Sequence, residues 1–338
     1  RFFRRYGTML KLIDAISRFT VKQKAATSRK NFLKGIAAAI GSVPIVKTLA
    51  GPVLAGSEGT LAPRVKKGVR TACDLAVVKG GSPAAITRKA IEALGGIDRF
   101  VKKGDTVVIK PNIGWDRAPE YAANTNPEVV ETLIRLCKAA GARRVRVFDN
   151  SCNAADMCYR NSGIAAAVKK AEGYISYINK EKFLPGRFPA GSEMEDWPIY
   201  RDAVECDCFI NVPIAKNHGL TKLTLSMKNL MGVCGGMRGR IHWNIDKKLP
   251  ELAKFISPDL TVIDAYRILL RYGPSGGDLK DVKKTGTVIA GTDPVLADSY
   301  AASLFGLSSR DIDHIMQGER YGLGTTNIGL AKITKITI

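Results

Sequence analysis

The sequence predicts an α/β protein: a mostly parallel sheet with helices on both faces, built as one large domain or as two subdomains. Three observations carry this expectation. Short β-branched runs such as Thr106–Lys110, Arg143–Asp149 and Leu260–Ala265 alternate with segments of helical periodicity. Prolines open several of those helices and glycines close them. The 338 residues, 45% hydrophobic and 25% charged, are enough to bury an extensive core.

In chain order, Cys73–Val78 reads as a short strand and Pro83–Leu94 as an amphipathic helix stopped by Gly95-Gly96. Thr106–Lys110 is a strand ending in Lys110-Pro111-Asn112, which puts a cation and an amide at the strand edge where open α/β sheets bind ligands. Asn126-Pro127-Glu128 opens a helix over Val129–Ala140, Gly141 ends it, and Arg143–Asp149 is the next strand. A helix over Ile164–Ala171 repeats the unit. Residues 173–200, rich in proline and glycine, read as loop with one edge strand. Ala203–Val212 returns to the sheet, and Leu223–Leu230 reads as a helix delivering Lys228-Asn229 to the loop Gly232–Gly239. The remaining elements are a helix over Leu249–Ile256, strands at Leu260–Ala265 and Thr285–Gly291, helices over Val295–Phe305 and Ser308–Gly318, and a closing strand in Ile328–Ile338. Asp293 reads as the cap of the helix that Pro294 opens.

Chemistry-bearing residues concentrate in Phe209–Asn244. Lys216, His218, Lys228, Asn229, Arg238 and His242 are interleaved there with Gly232, Gly235, Gly236 and Gly239. The glycine loop with Lys228, Lys216, Arg238 and Arg240 could cradle a phosphate or carboxylate through backbone N–H groups and cations, and Lys110, Asn112, Lys216, Asn229, Gly235 and Gly236 are the candidate cofactor-binding residues. Lys228 and His218 are the candidate catalytic pair, and His242 is the candidate metal ligand. Asn112 and Asn229 read as hydrogen-bond donors that orient a ligand or order a loop. Asp149, Asp264 and Asp298, at strand ends or helix starts, could supply a base or oxygen ligands. The alternative is a solvated basic rim with no ligand. His314 reads as a structural residue on a surface helix.

The net charge of +21 is unevenly spread. Residues 1–70 carry fifteen Lys/Arg against Asp14 and Glu58, whereas the rest holds 37 basic and 29 acidic residues. No basic stripe interleaved with aromatics accompanies that charge, which argues against nucleic acid as a partner. Ser28–Lys34 followed by the weakly apolar Gly35–Gly56 reads as a targeting segment or membrane anchor, with membrane association expected through residues 28–56. The expected organisation is therefore 1–56 as that segment, 57–70 as linker, and 71–338 as the α/β domain. The seven cysteines form no disulfide framework, no C-x-x-C and no ferredoxin-type run. Cys206 and Cys208, read on one strand face, could join Cys152, Cys158 or Cys234 at a metal, or be buried apolar thiols.

Three resemblances add to these readings. Ser28-Arg29-Lys30-Asn31-Phe32-Leu33-Lys34 is similar to a twin-arginine export signal, with Lys30 in place of the second arginine. It implies an exported, periplasmic protein, the alternative being a cytoplasmic one. Val107–Asn112, Asn211–Gly232, Pro258–Ala265 and Gly291–Asp298 together resemble the DUF362 family, a family without an established activity, over residues 70–330. Some of its members carry an iron–sulfur module, so a redox partner protein is an implied partner. The order His218, Lys228, glycine loop, His242 resembles the lactate racemase family. That likeness implies Lys228 bonded to a nickel-pincer cofactor, His242 as metal ligand and His218 as acid/base; where the family has a further histidine, this chain reads Asp149-Asn150-Ser151. Two functions stay open: a cofactor-dependent oxidoreductase or isomerase acting on a small anion, and a non-catalytic ligand- or metal-binding accessory protein of a redox complex.

Overall fold

Alternate residues of the central strands enter two different hydrophobic cores, as a sheet covered on both faces requires. Val108, Phe209, Ile263 and Ile289 belong to one core, and Val107, Ile109, Ile210, Val262 and Val288 to the other. The computed structural model describes residues 59–338. The segment 1–56 and its export-signal-like run lie outside the described residues.

The chain enters the sheet with β1 (Leu75–Lys79), crosses helix α1 (Pro83–Ala93), and returns in β2 (Thr106–Pro111). Helix α2 (Pro127–Ala139) connects to β3 (Arg144–Val147), and helices α3 (Ala155–Asn161) and α4 (Ile164–Lys170) lead to β4 (Tyr174–Ile175). A separate antiparallel pair, β5 (Phe183–Pro185) and β6 (Pro198–Tyr200), precedes the one-turn helix α5 (Arg201–Val204). Then follow β7 (Cys208–Val212), β8 (Ile214–His218), β9 (Lys222–Thr224), the one-turn helix α6 (Ser226–Asn229) and helix α7 (Ile245–Ile256). The long strands β10 (Leu260–Leu269) and β11 (Val282–Gly291), helices α8 (Pro294–Ser303) and α9 (Asp313–Arg320), and β12 (Ile333–Thr337) complete the unit. The sheet runs β12-β1-β11-β10-β7-β2-β3-β4, with β8 paired to β10 and β9 to β8. Pairing is parallel from β10 through β4, and β11 is antiparallel to both its neighbours. Helices α1, α2 and α4 bury their apolar sides in one core, and α7, α8 and α9 theirs in the other.

Local signals explain three of the helix starts. Ser82, Asn126 and Asp293 cap α1, α2 and α8 through side-chain oxygens, each with proline at the first helical position. Asp293 caps as expected, accepting from Leu296 N at 2.8 Å.

Four expectations are corrected. Residues 223–230 are not one helix: Lys222–Thr224 pair with β8 in a hairpin, and helix begins only at Ser226, where Asp298 accepts the N–H groups of Ser226 and Met227. Residues 203–212 are not one strand, because 201–204 form α5 and the strand starts at Cys208. Cys206 and Cys208 consequently fall in opposite cores rather than on one face. The expected linker is also no free tether. Leu61 is buried, and the Arg64 guanidinium makes a buried ion pair with Asp259 at 2.8 Å. Residues 57–338 form one compact unit rather than two subdomains. No helix among the described residues is long and apolar enough to cross a membrane.

Candidate functional site

Strands β2, β3 and β7 are parallel neighbours, so their carboxyl ends share one edge. That edge delivers Lys110 and Asn112 after β2, Asp149 and Asn150 after β3, and through the β8–β9 hairpin Lys216, His218 and the α6 turn. A cavity of about 380 Å³ opens there. It is lined by Lys110, Asn112, Lys216, His218, Lys228, Asn229 and His242, joined by Trp115, Asp149, Cys152, Gly232 and Arg238. Asp149 is the only carboxylate among its lining residues.

One half of the cavity is closed by partners. Lys110 Nζ lies 2.8 Å from Asp149 Oδ1 and donates to Asn229 O at 2.6 Å and Asn229 Oδ1 at 3.0 Å. The carboxylate contact is a buried ion pair, while Oδ2 of Asp149 accepts from Ile113 N at 2.7 Å. Burial pushes the Lys110 ammonium down and Asp149 opposes it. Asn229 Nδ2 donates to Lys110 O and to Asn211 Oδ1, and Asn211 donates on to Ser226 O. Gly232 is indispensable here: a Cβ on it would stand 1.8 Å from Asp149 Oδ1 and 2.5 Å from Lys110 Nζ.

The other half is left open. Lys216 Nζ donates to Ala123 O and to Asn112 Oδ1 at 3.2 Å, and lies 6.0 Å from the Trp115 ring centroid. Lys228 Nζ has a weaker set still, the Met231 thioether sulfur at 3.4 Å and His242 Nε2 at 3.4 Å. Among the described residues neither has a carboxylate partner, and burial lowers Lys216 to about 7 and Lys228 to about 8. Burial, reinforced by the Lys228 charge, also lowers all three histidines, His218 and His314 to about 3.

The backbone assigns opposite tautomers to the two cavity imidazoles. His218 Nδ1 receives the Leu220 and Thr221 N–H groups at 3.1 and 3.4 Å, so it must be the bare nitrogen and Nε2 carries the hydrogen. His242 Nδ1 meets Gly239 O at 3.1 Å, a pure acceptor, so Nδ1 carries the hydrogen and the Nε2 lone pair faces Lys228. The rings stack with centroids 5.8 Å apart and planes 15° from parallel. A hydrogen-bond donor, His218 Nε2–H, and a proton acceptor, His242 Nε2, thus stand in stacked rings, the second next to one poorly partnered amine.

Gly235 and Gly236 do not join this set. Gly235 packs against the Phe183 ring and accepts from Trp197, and Gly236 lies against Pro198. Neither lines the cation-rich cavity, as Gly232 and Gly239 do; Gly236 borders a separate hollow with Glu193, Glu195 and Asp196, carboxylates that do not suit a phosphate. Asp264 and Asp298 are enclosed, not ligand-facing. Each accepts two backbone N–H groups, and burial raises them to about 6 and about 7. Asp298 is a positioning residue, since it fixes the start of the turn that carries Lys228 and Asn229. His314 is not at the surface but 1% exposed, with Nε2 unpartnered.

Sequence reasoning missed Asn211, Trp115 and the steric role of Gly232. A polar residue inside the apolar run Phe209-Ile210-Asn211-Val212 was the available signal for the first. No local pattern marks the other two.

Among the described residues no group of three or more His, Cys, Asp or Glu is placed to hold a metal ion. His242 turns its available nitrogen to Lys228. The further donor position after β3 is Asp149, committed to Lys110 and Ile113 N. The imidazole that the racemase resemblance names as metal ligand thus has its lone pair turned to Lys228, and the position after β3 offers a committed carboxylate where that family has a histidine. Cys206, Cys208 and Cys234 are buried with their thiols pushed up, and Cys152 alone lines the cavity.

The chain is thus an α/β protein with a cation-rich cavity at the carboxyl edge of a mostly parallel sheet. Residues 107–303 match the family described as "Domain of unknown function (DUF362)", and the chain belongs to that family. The match contains every cavity-lining residue. The chain is 30% identical over 257 residues to the thylakoid-associated protein sll1697 of Synechocystis sp. (strain ATCC 27184 / PCC 6803 / Kazusa), covering 73% of this chain and 78% of that one. The lactate racemase apoprotein from Thermoanaerobacterium thermosaccharolyticum is similar at TM-score 0.40 and 13% identity, over 64% of this chain and 54% of that chain. The chain spans about half the length of that racemase, and the likeness is one of fold, not of activity.

Proposed function

We propose that this DUF362 protein binds a small anion, bearing a carboxylate or phosphate, in the cavity and exchanges protons with it. One observation carries the reading: three buried lysines and Arg238 surround a cavity whose lining contains a single carboxylate, already taken by Lys110. Buried cations without counter-charge are costly, and an entering anion supplies the missing charge. Because burial depresses Lys216 and Lys228, anion binding near pH 8 draws protons onto them. Calorimetric titration with inorganic phosphate and with acetate, in buffers of different ionisation enthalpy, tests this. The expected result is saturable binding with proton uptake, weakened at least about tenfold in Lys216→Met, since one charge-assisted contact is worth ~1.5–3 kcal/mol. Absence of heat and of any rise in Tm up to millimolar anion overturns it. The non-catalytic alternative predicts binding without any bond formation to the ligand.

The thylakoid association in the description of the Synechocystis relative supports a further part of this proposal, that the protein works at or across a membrane through residues 28–56. Fractionation of cells expressing the full chain tests it, and recovery wholly in the cytosolic fraction overturns it.

A further inference from the structure

The three cavity lysines are chemically unequal, and the difference singles out one amine. Lys110 donates to oxygen and faces a carboxylate, and Lys216 donates to two oxygens. Among the described residues Lys228 alone of the three has no oxygen partner: its nitrogen meets a thioether sulfur and an imidazole lone pair. Neither contact holds an ammonium firmly, and the second is placed to remove its proton. We propose that Lys228 is a nucleophile that forms an imine with a 2-oxo acid, the carboxylate of the ligand facing Lys216 and Arg238. This rests on the anion-binding reading of the cavity and adds the substrate class.

The step balances with the groups present. His242 Nε2 takes one proton from the Lys228 ammonium, and the freed lone pair forms the C–N bond as the carbonyl π electrons move to oxygen. The His218 Nε2–H can donate a hydrogen bond to that oxygen without giving up its proton. One remaining N–H proton shifts to the oxygen, the proton held by His242 follows, and the C–O bond breaks as water leaves. Ammonium and ketone become a protonated imine and one water, with no oxidant or reductant. The backbone contacts of Leu220, Thr221 and Gly239 fix which imidazole plays which part.

An imine is trapped by cyanoborohydride, which supplies the hydride that turns it into a stable secondary amine. The full chain is incubated with pyruvate and cyanoborohydride, then read by intact mass and peptide mapping. The expected result is a single adduct on the peptide carrying Lys228, suppressed by excess lactate, which has the carboxylate but no carbonyl. Lys228→Arg keeps the charge and loses the adduct. His242→Gln slows adduct formation on the order of a hundredfold, the usual share of a positioned proton acceptor, while leaving Tm within a degree or two. A Tm rise with phosphate, read in parallel, separates the two proposals. Anion-induced stabilisation without a Lys228 adduct, or adducts spread evenly over exposed lysines, overturns the imine and leaves the anion site. Neither stabilisation nor adduct overturns both.

Discussion

The cavity has two walls built from the same residue type and opposite in chemistry. Lys110 and Lys228 are both buried, 1% and 6% exposed, yet Lys110 faces Asp149 and two Asn229 oxygens while Lys228 faces a sulfur and an imidazole. Burial alone therefore does not decide what a lysine does; the partner set does. On the first wall the charge is spent inside the protein, holding the ends of β2 and β3 to the α6 turn. On the second it is left for something that arrives.

The first wall should be the more fragile, and Gly232→Ala tests it hardest. The new Cβ would occupy the space of Asp149 Oδ1, so the ion pair or the turn after α6 has to give. Breaking a buried pair costs about 3–5 kcal/mol, and the accompanying strain adds to it. Gly239 lines the same cavity, but a Cβ there meets nothing within 4 Å, so Gly239→Ala should stay within about 0.5 kcal/mol of the parent. Urea midpoints compare the two. Equal midpoints would show that the Lys110–Asp149 wall is not rigidly packed.

How much of this contrast was legible beforehand follows from what each part depends on. Asn126-Pro127 and Asp293-Pro294 announce helix starts because capping is local chemistry. Lys110, Lys216, His218, Lys228 and His242 could be picked out because cations and histidines clustered near strand ends and beside glycines. Their division into a paired and an unpaired set was not legible. It depends on Asp149 arriving from another strand and on Asp298 from α8 starting the α6 turn late, long-range events without a local signature. Gly235 and Gly236 looked like the working glycines for the same reason: a doublet is visible in sequence, whereas the close approach that makes Gly232 irreplaceable is visible only in three dimensions. His314 looked exposed because its helix is polar overall, and only the packing of that helix against α7 and α8 buries it.

The next test sets the two lysines against each other directly. Lys110→Met strands Asp149 as a buried charge without its cation, and about 3–5 kcal/mol of stability should go with it. Lys228→Met removes a buried cation that has no counter-charge and leaves an unbranched side chain of similar length beside Met231. The ligand-free protein should then be unchanged or stabilised by about 1 kcal/mol. Opposite signs in chemical denaturation support the two-wall description. Comparable losses in both variants would mean that Lys228 is a structural residue too.

The smallest effect per unit, and the most direct reading of the second wall, is the dependence of stability on pH. Lys216 and Lys228, lowered to about 7 and about 8, have lost protons in the folded protein at pH values where the unfolded chain, with lysines near ~10.4, still holds them. Between those limits the unfolded state binds more protons, so stability should rise with pH, by about 1.4 kcal/mol per unit for each lysine. Asp264 and Asp298 act with the opposite sign, because their raised values keep protons on the folded state that the unfolded chain has released; stability from them falls as pH rises, and that fall is complete by about pH 8. The lowered histidines release their protons below neutrality as well. Above about pH 8 the buried thiols of Cys137, Cys158, Cys206, Cys208 and Cys234, raised by burial, oppose the lysines, because the unfolded chain releases those protons first, and Lys66 and Lys110, lowered by burial, add to them; the cavity lysines are therefore read as the difference in slope between the parent and a variant that lacks them. The slope of the double variant Lys216→Met/Lys228→Met should fall below the parent's by about 1.4 kcal/mol per pH unit for each lysine, and saturating phosphate should lower the parent's slope in the same direction by returning protons to both amines. Equal slopes in the parent and the double variant would mean that these lysines keep their protons when folded, and the distinction between the two walls would collapse.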